Sequence, residues 1–386
     1  MLQRKTAMRV VAALGLLACR TDDTASDPPP ADAASTTDAP PTNDARPPGD
    51  AAAPPVDGST PPRDADPTVD ADPKLDVDPS DAAPPVDASL PPGPWRSPVR
   101  ETCPGTYGRS ENLAIMGEER LDEASGLAAS PTDPRVLWLH NDSGDVARLF
   151  ALDTTGRRLG LVYLRGIENV DFEDLAIAAC PDGSGPCLWV GDIGMNSRNR
   201  DDFVVYALPE PAVRFGEVFR DFSAERVWRF PVRYPGGGVD SEALIVDPDG
   251  QGFRTVEKVD GPRARVFRHP GPLEDGVEAE LALESTLSSP GFEIPQGRMI
   301  TGAHLHPTGT RLLLRVYTGS YEYRLEPGQT LADLSQVSPT LVSAGPLSEP
   351  QGEAIAYDGT GLEVLTVSED PRGDGDVPIH RYRCQP

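Results

Sequence analysis

The sequence predicts an all-β domain, a five-bladed β-propeller, behind a long disordered N-terminal linker. Three observations carry this prediction. From Trp95 onward, short apolar runs alternate with turns rich in Gly, Pro, Asp and Asn, and none of the runs makes a convincing amphipathic helix. Five of these runs can be stacked: Ser125-Gly126-Leu127-Ala128, Glu173-Asp174-Leu175-Ala176, Glu242-Ala243-Leu244-Ile245, Thr301-Gly302-Ala303-His304 and Glu353-Ala354-Ile355-Ala356. They recur about every 50 to 70 residues, room for one four-stranded blade each.

The elements follow in chain order. Arg4, Lys5 and Arg9 precede an apolar run from Val10 to Leu17, which is the layout of a secretory signal. The run is too short for a membrane span, which needs about 20 apolar residues. It ends in Leu16-Leu17-Ala18-Cys19, which resembles the bacterial lipobox. That resemblance implies cleavage after residue 18 and acylation of Cys19. It therefore implies an exported protein tied to a membrane by lipid, and Arg20 after the cysteine favours the outer membrane or cell surface.

Residues 19–94 form a tether dominated by Pro, Asp, Ala and Thr, with no aromatic side chain and few aliphatic ones. Such a segment cannot bury enough apolar surface to offset its ordering entropy. Extended, it would reach on the order of 200 Å at about 3.1 Å per residue. Its aspartates supply much of the formal net charge of −26. That charge argues against a nucleic-acid partner and says little else about the folded part.

Residues 95–386 are the propeller domain. The five stacked runs are the innermost strands. Turns such as Pro131-Thr132-Asp133-Pro134, Asp247-Pro248-Asp249-Gly250, His306-Pro307-Thr308-Gly309 and Tyr357-Asp358-Gly359-Thr360 follow them. Second strands include Val136-Leu137-Trp138-Leu139, and third strands include Val204-Val205-Tyr206-Ala207. The last repeat has three strands of its own, while a strand near Asn112 to Met116 is left over at the front. Pairing the two closes the ring and removes an open edge. Six blades result instead if the long stretch from Glu173 to Glu242 hides a second repeat.

Four cysteines besides Cys19 suit an oxidising compartment and allow three pairings. Cys180–Cys187 across a short turn and Cys103–Cys384 across the two ends of the domain are the favoured ones. Chain entropy sets upper limits of roughly 2–3 kcal/mol for the first and about 5 for the second.

In a propeller the innermost strands line the axis and start on one face, where the loops between second and third strands also emerge. Ser125, Glu173, Glu242, Thr301 and Glu353 are therefore expected as a ring at that face. Three carboxylates about 8 Å apart repel by about 2 kcal/mol per pair at an effective dielectric near 20. A bound cation relieves this, and oxygen-only ligands favour calcium. The alternative is that these acids are protonated or bonded to backbone amides. The loops on the same face carry Asn141, Asp142 and Asp145, then Asp192, Asn196 and Arg198, and Lys258.

The ring resembles that of the calcium-activated apyrase family, five-bladed propellers whose central calcium is held by Ser, Glu, Glu, Ser and Glu. Thr301 stands in place of one serine. Leu137 to Gly144 and Leu188 to Gly194 are similar to that family's acidic and Gly-rich loops. Glu123-Ala124-Ser125-Gly126-Leu127 and Asp171-Phe172-Glu173-Asp174-Leu175 also look like phytase-like propeller proteins. The family's wider set of substrate-contacting residues has no match here. Other signatures are missing: no Gly-x-Ser-x-Gly, no His-Glu-x-x-His and no P-loop.

Two functions are expected. The first is a monomeric surface binding module with a central calcium, recognising a protein or glycan. The second is a calcium-dependent phosphohydrolase acting on nucleotides or inositol phosphates. In the hydrolase, Asp142 or Asp192 orients the attacking water, and Asn141, Asp145, Asn196, Arg198 and Lys258 contact the phosphorylated small molecule.

Overall fold

The computed structural model describes residues 98, 100–118, 120–195, 200–213, 222–291, 293–343, 349, 351–369 and 377–386. The expected signal peptide 1–18, the expected lipidation site Cys19 and the expected tether 19–94 lie outside these residues, as do Asn196 and Arg198. Among the described residues no helix is long and apolar enough to cross a membrane.

The chain opens with strand β1 (Thr106–Ile115), then runs through β2 (Ala124–Ala129), β3 (Val136–Asn141), β4 (Arg148–Asp153) and β5 (Arg158–Tyr163). These are followed by β6 (Phe172–Ala179), β7 (Pro186–Asp192), β8 (Phe203–Pro209), β9 (Phe222–Ser223) and β10 (Trp228–Arg233). Next come β11 (Ser241–Val246), β12 (Phe253–Glu257), β13 (Arg263–Arg268), β14 (Ala279–Glu280) and β15 (Ala282–Ser288). The last are β16 (Ile300–Leu305), β17 (Arg311–Val316), β18 (Gly319–Arg324), β19 (Thr340–Ser343), β20 (Gly352–Tyr357), β21 (Val364–Ser368) and β22 (Pro378–Gln385).

They form five sheets. Blade I is β2-β3-β4-β5 with β9 at its edge, and blade II is β6-β7-β8-β10 with β14 at its edge. Blade III is β11-β12-β13-β15, blade IV is β16-β17-β18-β19, and blade V is β20-β21-β22 with β1 outermost. Among the described residues there is no sixth blade. The long stretch after Glu173 is spent on β9, which returns to pair in parallel with β5, and on β10. Closure is as the leftover strand required: β1 runs antiparallel to β22, from Thr106↔Gln385 to Ile115↔Pro378. Cys103–Cys384 clamps this closure, and Cys180–Cys187 bridges the turn before β7.

The innermost strands β2, β11, β16 and β20 are buried along their whole length. Small residues make their convergence possible. A Cβ on Gly126 would lie 2.7 Å from the Cβ of Leu175, and one on Gly302 would lie 2.7 Å from the Glu353 carbonyl oxygen. Larger side chains fill the spaces between neighbouring blades, and each of the five interfaces has its own apolar cluster. Trp189, Phe230, Phe253 and Phe267 dominate the one between blades II and III. The interface between blades IV and V has the fewest apolar residues. Ion pairs stand in for them: Glu322 accepts from the hydroxyls of Tyr107 and Tyr357, both at 2.9 Å, and from Arg311 and Arg324. Arg315 meets Glu349 at 3.1 Å beside them.

Candidate functional site at the acidic mouth

Every innermost strand carries a β-bulge near its start. The unpaired residue is Ser125 in blade I, Glu173 in II, Glu242 in III, Thr301 in IV and Glu353 in V. A bulge bends its strand and re-aims one side chain, so the sequence repeat becomes a ring of five equivalent positions. All five side chains are buried. The two hydroxyls donate to the next blade: Ser125 Oγ to the Glu173 carbonyl at 2.5 Å, and Thr301 Oγ1 to the Gly352 carbonyl at 2.9 Å. Their oxygen lone pairs stay available.

Two further tiers sit above the ring. Two residues before each ring position come Glu123, Asp171, Asp240, Met299 and Gln351. Carboxylate oxygens of Asp171 and Asp240 come within 4.8 Å of those of Glu173 and Glu242, so the acids of this tier extend the ring's charge outward. The loops after the second strands form the third tier, and their N–H groups bond the tier below. Asp142 N–H reaches Glu123 O (2.8 Å), Gly194 N–H reaches Asp171 O (3.3 Å), Lys258 N–H reaches Asp240 O (2.9 Å) and Glu369 N–H reaches Gln351 O (3.2 Å). In blade IV the first residue past β17 is Tyr317.

Carboxylates gather most closely on the side of blades I to III. Oxygens of Asp142, Asp171 and Glu173 lie within 4.8 Å of one another, and so do oxygens of Glu173, Asp240 and Glu242. Glu173 belongs to both groups and Glu353 to neither. Glu173 Oε1 and Glu242 Oε2 are buried without a hydrogen-bond partner, while Glu242 Oε1 accepts from Lys258 Nζ. Gly194 leaves the space that the acids use. A Cβ there would come 1.8 Å from Glu173 Oε1 and 2.7 Å from Asp171 Oδ2.

Burial and mutual repulsion push protons onto this cluster. Burial raises Glu173 well above the usual carboxylate range, with Glu242 and Asp142 adding to the effect. Glu353 is raised the same way, by burial and then by Glu242. Burial lifts Glu242 to about 8 even though Lys258 opposes it. Asp142 rises to about 6 and Glu369 to about 7, again chiefly through burial. A group of acids held this far above its solution range is poised to exchange protons for a cation.

Several other residues singled out in the sequence have structural partners. Asp192 Oδ1 accepts from Arg200 (2.6 Å) and from the Asp171 N–H (3.0 Å), so it braces the strand start that carries Asp171. Asn141 is buried and donates to the Arg120 carbonyl (2.7 Å) and to Asp145 (3.0 Å), while Asp145 pairs with Arg148 at 2.7 Å. These contacts hold the blade I loop in shape. Sequence reasoning missed Asp171 and Asp240 as members of the cluster, while the loop Ser368-Glu369-Asp370 is expected from the sequence on this same face. The signal was an acid two positions before the ring residue, as in Asp171-Phe172-Glu173 and Asp240-Ser241-Glu242.

Beneath the ring the axis is plugged. Asp174, fully buried, accepts the N–H groups of Leu244 (2.8 Å) and Ala303 (3.0 Å), joining blades II, III and IV. At the far end a cavity of about 20 Å³ lies among Arg100, Ala129, Ile177, His304 and Tyr357, room for about one water. The chain enters the propeller on this far side, where Arg100 donates to the Pro131 carbonyl at 2.8 Å.

No family model and no curated protein matches the chain. Among solved structures it is similar to a chain of the mitotic checkpoint complex, with 12% identity over 65% of this chain and a TM-score of 0.30. It spans 62% of that chain's length. It is also similar to U3-55K, with 12% identity over 71% of this chain and 98% of that one and a TM-score of 0.35. These likenesses say nothing about the chemistry of the mouth.

Proposed function

We propose that the protein is an exported, lipid-anchored binding module whose acidic mouth takes up calcium. The observation that carries the ion is the pair of buried, unpartnered carboxylate oxygens, Glu173 Oε1 and Glu242 Oε2, among further acids. Leaving such atoms buried and unpaired is costly, and a hard cation with oxygen ligands removes the cost. Ser125, Thr301 and Glu353 complete the oxygen lining. The basic run, the apolar run and Cys19 support an anchor in the outer membrane or cell surface. The partner is a protein or glycan that the ion-loaded mouth and its loops recognise.

Phosphate recognition finds less support. Lys258 is already paired with Glu242 and Arg200 with Asp192. One observation favours the hydrolase as a second reading: Asp142, beside Asp171 and Glu173, is held up to about 6 by burial, which suits a group that takes a proton from water near neutral pH. A phosphate-release screen of the purified chain on nucleoside diphosphates and phytate, with and without calcium, separates the two. Release that Asp142→Ala abolishes selects the hydrolase. A blank screen, with calcium raising the melting temperature, selects the binding module. If calcium leaves the melting temperature unchanged, the ion has no place in either.

A further inference from the structure

In every blade the last residue of the second strand pairs with the residue just before the ring position. Among the described residues, three of these second-strand residues also accept, through their side chains, the N–H of the residue two before the ring. Asn141 Oδ1 takes it from Glu123 (3.3 Å), Asp192 Oδ1 from Asp171 (3.0 Å) and Ser368 Oγ from Gln351 (3.3 Å). Each such bond fixes a strand start just outside its bulge. In blades I and V the acceptor is neutral, but in blade II it is a carboxylate that is almost fully buried. A buried carboxylate needs a counter-charge. Arg200 supplies it at 2.6 Å and is itself buried. The rest of its guanidinium is engaged as well, with the Asp202 carboxylate (2.9 Å) and carbonyl (2.7 Å), with the Gly194 carbonyl (3.5 Å) and over the Phe203 ring. The stretch it holds reaches two blades. Gly194 N–H bonds the Asp171 carbonyl, Ser241 N–H bonds the Ile193 carbonyl (3.3 Å) and Met195 N–H bonds Asp240 Oδ1 (2.8 Å).

We propose that Arg200 is a positioning residue for the ion: by neutralising and orienting Asp192 it fixes the strand start that carries Asp171 and Glu173, and calcium affinity depends on it even though its own charge repels the ion. This rests on the calcium reading above and goes further, because it names a residue that sets affinity without touching the ion. Charge alone predicts the opposite effect, since taking a positive group away from the neighbourhood of a cation site tightens binding. Geometry predicts weakening. Without the guanidinium, Asp192 is an uncompensated buried charge and turns away from the Asp171 N–H. Asp171 and Glu173 lie two residues apart on this strand start, and Gly194, whose missing Cβ leaves them room, loses its hold on the same side. Lysine cannot replace the arginine, because a single ammonium lacks the fork that meets Asp192, Asp202 and the Gly194 carbonyl together.

Calorimetric titration of chelator-treated full-length chain with calcium alone tests this, with circular dichroism confirming that each variant is folded before calcium is added. Arg200→Met is expected to weaken calcium binding about 10- to 100-fold, the usual cost of losing a group that orients a metal ligand. Adding Asp192→Asn is expected to bring the affinity back to within about threefold of wild type, because a neutral amide takes the Asp171 N–H without a counter-ion, as Asn141 takes that of Glu123. A merely structural role predicts no such rescue, and electrostatics predicts a further loss, since an acid has been removed. Arg200→Met that binds calcium as well as or better than wild type, or whose loss Asp192→Asn leaves in place, overturns the proposal. Should Arg200→Met not fold, Arg200→Lys takes its place: a loss of about tenfold supports the proposal, and wild-type affinity overturns it. A wild-type chain that takes no calcium at all fails the earlier reading, whereas one that binds calcium with Arg200→Met unaffected fails this inference alone.

Discussion

The melting temperature of the ion-free protein should fall as pH rises from about 6.5 to 8, and calcium should abolish the fall. Glu242 is the clearest source. Burial pushes its folded-state value up to about 8, above the ordinary glutamate value of 4.5. A raised carboxyl group binds its proton more tightly in the folded state, so its contribution is complete at low pH and is lost as pH climbs through the folded value. Buried histidines act in the opposite sense, but lower down. Burial depresses His140 to about 4 and His304 to about 3, from 6.5, so they cost stability only as pH drops below 6.5. Between 6.5 and 8 the carboxylates are therefore unopposed. Glu242 alone loses about 2 kcal/mol over those 1.5 units, at about 1.4 kcal/mol per unit. For a domain of this size that is a drop of about 4 °C. Calcium needs the ionised acids, so its stabilisation grows over the same interval. Scanning calorimetry at pH 6.5 and 8, with chelator and with millimolar calcium, measures both slopes. A chelated protein whose melting temperature is flat or rises, or a calcium shift of equal size at both pH values, would show that the acids do not hold protons in place of an ion.

Three substitutions probe the scaffold around the site. Gly194→Ala puts a methyl group where Glu173 Oε1 and Asp171 Oδ2 now lie, and calcium titration should show at least about a tenfold loss of affinity, or about 1.4 kcal/mol. Asp174→Ala strands the Leu244 and Ala303 N–H groups at the axis, and denaturant unfolding should report a loss of about 3 kcal/mol. Replacing Cys103 and Cys384 together by serine leaves the closure to β1–β22 pairing, and the same measurement should show a loss of up to about 5 kcal/mol, while Cys180→Ser with Cys187→Ser should cost about half as much.

The blade repeat was legible because four of the five innermost strands place a small residue, Gly126, Ala243, Gly302 or Ala354, directly after one re-aimed side chain at the crowded axis. That rule leaves a short pattern in the sequence, and Ser125, Glu173, Glu242, Thr301 and Glu353 could be read from it. The cross-blade bonds were not legible. Asn169 donates to the Asp142 carbonyl at 2.6 Å and accepts from Phe172 N–H, and nothing in its own neighbourhood marks it as the residue that ties blade I's loop to blade II. Asp174 looks like one more acid beside Glu173, yet alternation turns it to the other side of its strand, where it accepts backbone N–H groups instead of joining the ring. Asp192 reads as a loop acid until the structure shows Arg200, eight residues later, folded back onto it.

The symmetry of the fold also explains why the cluster is off centre. Five blades offer five equivalent positions in each tier, and the sequence fills them unequally. Two places before the ring, blades I to III carry Glu123, Asp171 and Asp240, while blades IV and V carry Met299 and Gln351. In the loop tier Asp142 and Glu369 are acidic, but Gly194 has no side chain, Lys258 is basic and Tyr317 is neutral. Negative charge therefore peaks around Glu173, next to the one loop position that glycine leaves open, and positive charge sits one blade further on.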